Sequence, residues 1–147
     1  MFFAVSLAAA VGDYRPVEAA RHKIKRGCGD LQLRLTPNPD ILACLSTLPG
    51  ARLLVGFAAE TRNLVANARR KLQAKGVQLM VANDVSVEGA GFDVDTNVVT
   101  LLERSGRVDR LQKMTKEEVA GVILDRVREL SAPRRRAAAP RRLPSRR

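Results

Sequence analysis

The stretch from Leu53 to Asp84 constrains this chain most. Leu53, Leu54 and Val55 form an apolar strand that runs into Gly56 and Phe57. From Glu60 to Lys75, Leu64, Val65, Ala68 and Leu72 recur at helical spacing and give one apolar face. Gly76 stands where a glycine closes a helix, and "VQLMVAND" reads as a further strand ending at Asn83 and Asp84. With the flanking elements, the alternation of strands and helices predicts an α/β fold with a mostly parallel sheet. Ligands of such sheets bind beyond the carboxyl ends of the strands. The predicted tips are Ala8–Asp13, Gly56–Glu60 and Ala82–Asp84, which puts Phe57 where a ligand ring can stack on it.

On the amino side, Phe2 to Leu7 is a continuous apolar run, the pattern of a strand covered on both faces. Residues 12–30 are charged and lack a steady period, so they predict a loop or flap. Leu31, Leu33 and Leu35 alternate with polar residues, as in a half-exposed strand. "NPDILACLSTL" predicts a helix capped by Asn38, with Pro39 at the first helical position. On the carboxyl side, "NVVTLLERSGRVDRL" predicts a hairpin turning at Ser105-Gly106. Thr115 and Glu118 form a capping box for a helix facing inward through Val119, Val122, Ile123, Val127 and Leu130.

The net charge of +11 invites a nucleic-acid reading, but seven arginines lie in residues 132–147. Residues 1–131 carry 19 basic against 15 acidic groups, a net +4, so the predicted domain is only mildly basic. The arginine-, proline- and alanine-rich tail has little to bury and is expected to be disordered. It has no aromatic residue to stack on bases, which weighs against nucleic acid. No apolar run is long enough to cross a bilayer. "MFFAVSLAAAVG" lacks the basic start of a secretory signal and is read as a strand. Cys28 and Cys44 form no CxxC pair and have no clustered histidines, which disfavours zinc and points to a reduced, cytoplasmic protein.

No GxGxxG or GxxxxGK[ST] phosphate loop occurs. Gly27/Gly29 and Gly89/Gly91 read as turns. An anion must therefore rely on side chains and helix starts. Lys71 and Lys75 project from one helix face, either to reach a ligand or to favour the negative end of the helix. Lys23 and Lys25 present cations from the flap, and His22 is expected at the surface. Asp13, Asp40, Glu60 and Asp84 suit either a magnesium–nucleotide complex or ordinary caps and turns.

Seven segments occur in a telling order: "AAAVGDYRP", "HKIKR", "LTPNPDIL", "VGFAAET", "KLQAKG", "VAND" and "GFDVDTNVV". Together they resemble the phosphopantothenate–cysteine ligase family, the ligase domain of the bifunctional coenzyme A biosynthesis protein. The resemblance covers about Phe2 to Leu130. It implies a Rossmann-like, mostly parallel sheet flanked by helices, with a flap and a carboxyl-terminal hairpin. It implies that 4′-phosphopantothenate and cysteine are joined at the expense of CTP through an acyl-cytidylate, with Mg²⁺. FMN is implied only where a decarboxylase domain is attached elsewhere. Carried over by position, Asp13, Lys23, Asn38, Pro39, Asp40, Ile41, Phe57, Lys71 and Lys75 are implied nucleotide-binding residues, with Lys23 the catalytic one; no metal ligand is assigned.

Three departures are tolerable by size or charge: Gly12 for an alanine, Arg21 for a proline and Arg26 for a lysine. A "GGT"-like turn and an "NRSSG"-like segment of the family have no counterpart here. Residues 1–131 are accordingly expected to form the carboxyl-terminal portion of a ligase domain, its sheet incomplete on the amino-terminal side. An exposed sheet edge and little or no ligase activity of the isolated chain follow from that expectation. A homodimer, or a complementing ligase or decarboxylase chain, is the implied partner, with the flap and "LQLRLT" as candidate contacts. The alternatives are a non-catalytic subunit that binds a complete ligase and a nucleic-acid binder acting through the tail.

Overall fold

A computed structural model describes residues 3–7, 12–50, 52–87 and 94–132. The arginine-rich tail beyond Ala132, the Gly89/Gly91 pair and most of the first predicted strand tip lie outside these residues. In chain order the elements are β1 (Phe3–Leu7), β2 (Tyr14–Pro16), β3 (Leu35–Pro37), α1 (Ile41–Thr47), β4 (Arg52–Glu60) and α2 (Leu64–Ala74). They continue with β5 (Leu79–Asp84), β6 (Thr96–Asn97), β7 (Val99–Glu103), β8 (Val108–Arg110), β9 (Met114–Thr115) and α3 (Lys116–Ser131). The main sheet has the order β1-β4-β5-β7-β8. Its first three strands are parallel, while β7 and β8 run antiparallel. The predicted α/β architecture with its closing hairpin is therefore present.

The central strands are buried on both faces because helices cover each side. On one face Leu54, Ala58, Met80, Ala82 and Leu102 meet Leu42 of α1 and Ala68 and Leu72 of α2. On the other, Leu53, Val55, Leu79, Val81 and Leu101 meet Val119 and Ile123 of α3. Gly56 is required by this packing: a Cβ there would lie 2.8 Å from Leu42 Cδ2 and 3.1 Å from Met80 Cε. Gly76 closes α2 with φ +63°, a conformation in which a side chain is strained. Gly106 likewise turns the hairpin with φ +100°.

Several expectations are corrected. β1 is an edge strand with Ala4 and Ser6 exposed, so its apolar run is not covered on both faces. Strand β4 extends well past Val55, and α2 begins at Leu64 rather than Glu60. Residues 31–34 form no strand; Leu31, Leu33 and Leu35 are all exposed because no described element packs on them. Only Leu35–Pro37 pairs, antiparallel to Tyr14–Pro16, in a two-stranded sheet apart from the main one. The α1 cap is Asp40, whose Oδ1 accepts the Ala43 N–H at 3.0 Å, and not Asn38.

The capping box at Thr115 and Glu118 is present: Glu118 N–H donates to Thr115 Oγ1 at 3.2 Å, and Thr115 N–H donates to Glu118 Oε2 at 2.8 Å. These bonds to Thr115, backbone first, hold the Glu118 carboxyl below its ordinary pKa. Helix α3 also carries a buried charge. Arg126, 8% exposed, donates to Glu103 Oε1 at 2.7 Å and Asp109 Oδ2 at 2.6 Å, tying the helix to both strands of the hairpin.

Candidate functional site

Strand β4 divides the candidate residues between two faces. Leu54 and Ala58 pack toward α1 and α2, while Leu53 and Val55 pack toward α3. By the two-residue period, Glu60 shares the α2 face and Phe57 the α3 face. Phe57 is 41% exposed and free to take a ring, but it projects from the side of the sheet opposite Lys71 and Lys75. A single stacking and anion-holding surface on one face is thus not what the fold forms. A ligand contacting Phe57 and the lysines together must lie across the strand tips.

On the α1/α2 face, two segments distant in sequence are bracketed together. Asn38 N–H donates to Asp13 O at 2.8 Å, and Asn38 Nδ2 donates to Gly12 O at 2.6 Å. Arg15 Nη1 in turn donates to Asn38 Oδ1 at 2.9 Å and to Pro37 O at 3.2 Å. Asn38 is therefore a clamp, and it fixes Asp13 beside the start of α1. Pro39, Asp40 and Ile41 follow directly. Asp40 Oδ2 then pairs with Lys75 Nζ at 3.5 Å, which joins this bracket to the carboxyl end of α2.

One turn closer to the strand tips, Lys71 Nζ lies 2.8 Å from Glu60 Oε1. That contact is an ion pair without hydrogen-bond alignment, since Glu60 Oε1 is otherwise buried and unpartnered. Glu60 Oε2 accepts from Asn67 Nδ2 at 3.2 Å, and the same amide reaches Arg62 O at 2.9 Å. Neither lysine is a free cation: each is matched to a carboxylate that an incoming anion must displace or share. Asn67 and Arg15 were not singled out from the sequence, which offers Glu60 only as a magnesium–nucleotide or cap candidate, not as the partner of Lys71. The available signal was a lone carboxylate ending a buried strand, but its pairing with a lysine eleven positions on depends on how α2 lies on β4.

Of the four acids, Asp40 caps and pairs, Glu60 pairs, and Asp84 Oδ1 accepts from Ser86 N–H at 3.1 Å and Ser86 Oγ at 2.5 Å. Asp13 remains exposed, its carboxylate without a hydrogen bond or ion pair among the described residues. Lys23 lies in the exposed, irregular segment between β2 and β3, and makes no hydrogen bond or ion pair to the bracket among the described residues. His22, Cys28 and Cys44 are exposed, and both cysteines are free. Among the described residues no group of three or more His, Cys, Asp or Glu forms a metal cage. No described helix is long and apolar enough to cross a membrane.

The fold and site define an α/β domain with a mixed, mostly parallel sheet and a carboxylate- and lysine-bearing surface on its α1/α2 face. Residues 3–130 match the family described as DNA/pantothenate metabolism flavoprotein C-terminal domain, and the chain belongs to that family. It is 43% identical over 123 residues to the coenzyme A biosynthesis bifunctional protein CoaBC of Bacillus subtilis, covering 84% of this chain and 30% of that protein. A protein of an unknown prokaryotic organism named cysteine/cysteine sulfinic acid decarboxylase is 40% identical over 122 residues, covering 82% of this chain and 34% of that one. The chain therefore spans about a third of the length of these relatives. The crystal structure of the C-terminal domain of a CoaBC superposes with a TM-score of 0.68 at 34% identity, covering 87% of this chain and 54% of that one. A Cab2 variant in complex with phosphopantothenate-cysteine shares the fold, with a TM-score of 0.58 at 22% identity over 84% of this chain and 44% of that one. The family resemblance drawn from the seven segments is thereby shown, and the domain is related to phosphopantothenate–cysteine ligases.

Proposed function

We propose that this chain takes part in the CTP-dependent ligation of 4′-phosphopantothenate to L-cysteine. The observation that supports it best is the Asn38 bracket, which brings "GDYRP" and "NPD" together beside the lysine-bearing face of α2. The phosphopantothenate carboxylate attacks the α-phosphorus of CTP, forming an acyl-cytidylate and releasing pyrophosphate. The cysteine amine then attacks the acyl carbon, an amide forms, and CMP leaves.

The physical problem is bringing a carboxylate to a triphosphate, and cations solve it by offsetting the repulsion. In this reading Lys71 and Lys75 exchange their carboxylate partners for nucleotide phosphates. Lys23 is carried to the reacting groups when the segment between β2 and β3 closes. Mg²⁺ would be held mainly by the nucleotide phosphates with one or two carboxylates, and the free Asp13 carboxylate fits that donor set. Bound there, the ion would supply charge neutralisation on the triphosphate. A second copy of the chain is the proposed partner, meeting this one through the flap and its exposed leucines, in a cytoplasmic setting.

Calorimetric titration of the purified chain with CTP and Mg²⁺ tests the site. Lys71→Gln should weaken binding by about tenfold, roughly 1.4 kcal/mol, and Asp13→Asn should lower the dependence on Mg²⁺. Nucleotide binding that ignores both substitutions would refute the assignment. A burst of pyrophosphate that requires phosphopantothenate but not cysteine, followed by CMP release that requires cysteine, reports the two steps of the reaction.

A further inference from the structure

A second cleft, of about 600 Å³, opens at the amino end of α2, away from the Asn38 bracket. Its floor includes the start of α2 and residues of β5, β7 and β8. The first N–H groups of a helix have no partner within it. Here the N-cap residue, Asn63, is left-handed with φ 49° and makes no side-chain cap bond. Its carbonyl accepts from Asn67 N–H at 3.0 Å, the first bond of the helix, and the N–H groups of Leu64, Val65 and Ala66, residues that line the cleft, make no hydrogen bond among the described residues.

Thr100 supplies an independent sign that something polar belongs there. It is 6% exposed and lines the cleft, yet its hydroxyl makes no hydrogen bond among the described residues. Lying two residues from Leu102, it points to the α2 face of the sheet. Directly across the ladder Arg110, its register partner on β8, is exposed, without an ion pair, and lines the same cleft. Three helical N–H groups, a hydroxyl and a guanidinium are all donors, and the helix start adds partial positive charge.

We propose that this cleft binds a phosphate group, free or carried by a small molecule with an aliphatic body. The apolar remainder of the wall, which includes Val98 and Leu111, suits such a body. Asp84 is the opposing charge in the lining, and its Oδ1 is occupied by Ser86. Lys71 is seven residues, about 10 Å, further along α2. The cleft is thus distinct from the proposed nucleotide surface.

The test is amide-resolved NMR of the full chain in phosphate-free buffer, titrated with inorganic phosphate and, separately, with butyl phosphate. Saturable shifts at Leu64, Val65 and Ala66 are expected. Arg110→Gln, at an exposed position, should weaken binding about tenfold, and the isosteric Thr100→Val several-fold. Asp84→Asn should tighten it, and Lys71→Gln should leave it unchanged. Tighter binding of butyl phosphate identifies a phosphorylated small molecule; equal or weaker binding identifies free phosphate. The proposal is overturned if the three amides do not respond, or if the response survives Arg110→Gln and disappears in Lys71→Gln.

Discussion

At the residue scale, the side chains that matter most are those whose partners come from another element. Glu60 looks in sequence like a helix-opening acid, yet it closes β4 and neutralises Lys71. Asn38 has the residue type of a cap, yet it clamps the Gly12–Asp13 backbone. Both reassignments arise because a short polar side chain satisfies whichever donor or acceptor the fold brings nearest. Gly56 allows a sharper statement. A methyl group there would press on Leu42 and Met80, both buried. Gly56→Ala is predicted to cost about 1–3 kcal/mol by overpacking, measured as a lower urea midpoint with unchanged slope. A variant as stable as the parent would show that α1 does not rest on β4 as described.

At the element scale, α3 and the β7–β8 hairpin are joined by charge as well as by apolar contact. Arg126 interrupts the apolar stripe read from α3, and the sequence offered only that interruption as a hint. Two acids of the hairpin, Glu103 and Asp109, meet it, and Glu129 approaches its Nε at 3.1 Å. Truncating the arginine leaves the largely buried Glu103 carboxylate with only Ser105 Oγ at 2.7 Å and Arg107 at 4.0 Å, so Arg126→Ala is predicted to destabilise by about 3 kcal/mol, read by chemical denaturation. The hydrogen bond from Arg126, opposed by burial and aided by the nearby Arg107, holds the Asp109 carboxyl below its ordinary pKa. A depressed folded pKa stabilises above the unfolded value, and this contribution is lost as pH falls through the folded one. The stability difference between the parent and Asp109→Asn should therefore be constant at neutral pH and shrink below about pH 4. A difference that grows on acidification would contradict the pairing.

At the scale of the whole molecule, two regions differ in how they are held. Strands β4, β5 and β7 are sealed between helices, whereas residues 12–38 are almost entirely exposed and tied down mainly by β2–β3 and the Asn38 bracket. Amides of residues 17–34 should exchange with solvent orders of magnitude faster than those of Leu79–Ala82, which open only with global unfolding. If Lys23 is delivered by closure of this segment, CTP with Mg²⁺ should slow exchange there and leave the core strands unchanged. If Leu31, Leu33 and Leu35 meet a second copy, protection of their amides should rise with protein concentration. Exchange in this segment as slow as in the core without nucleotide would argue against a mobile flap.

Periodicity along the chain determined which segments become strands and helices around Leu53–Asp84 and Val99–Leu130, because burial of one face imposes a spacing that is local. Turn and cap chemistry at Gly76, Gly106, Thr115 and Glu118 was local for the same reason, and the ordered motif segments carried the family. Which edge β1 occupies, which face Phe57 takes, and which carboxylate answers each lysine were decided only by tertiary structure. Those outcomes depend on strand order and on the placement of helices across the sheet. Residues far apart in the chain set both, and no local pattern records them.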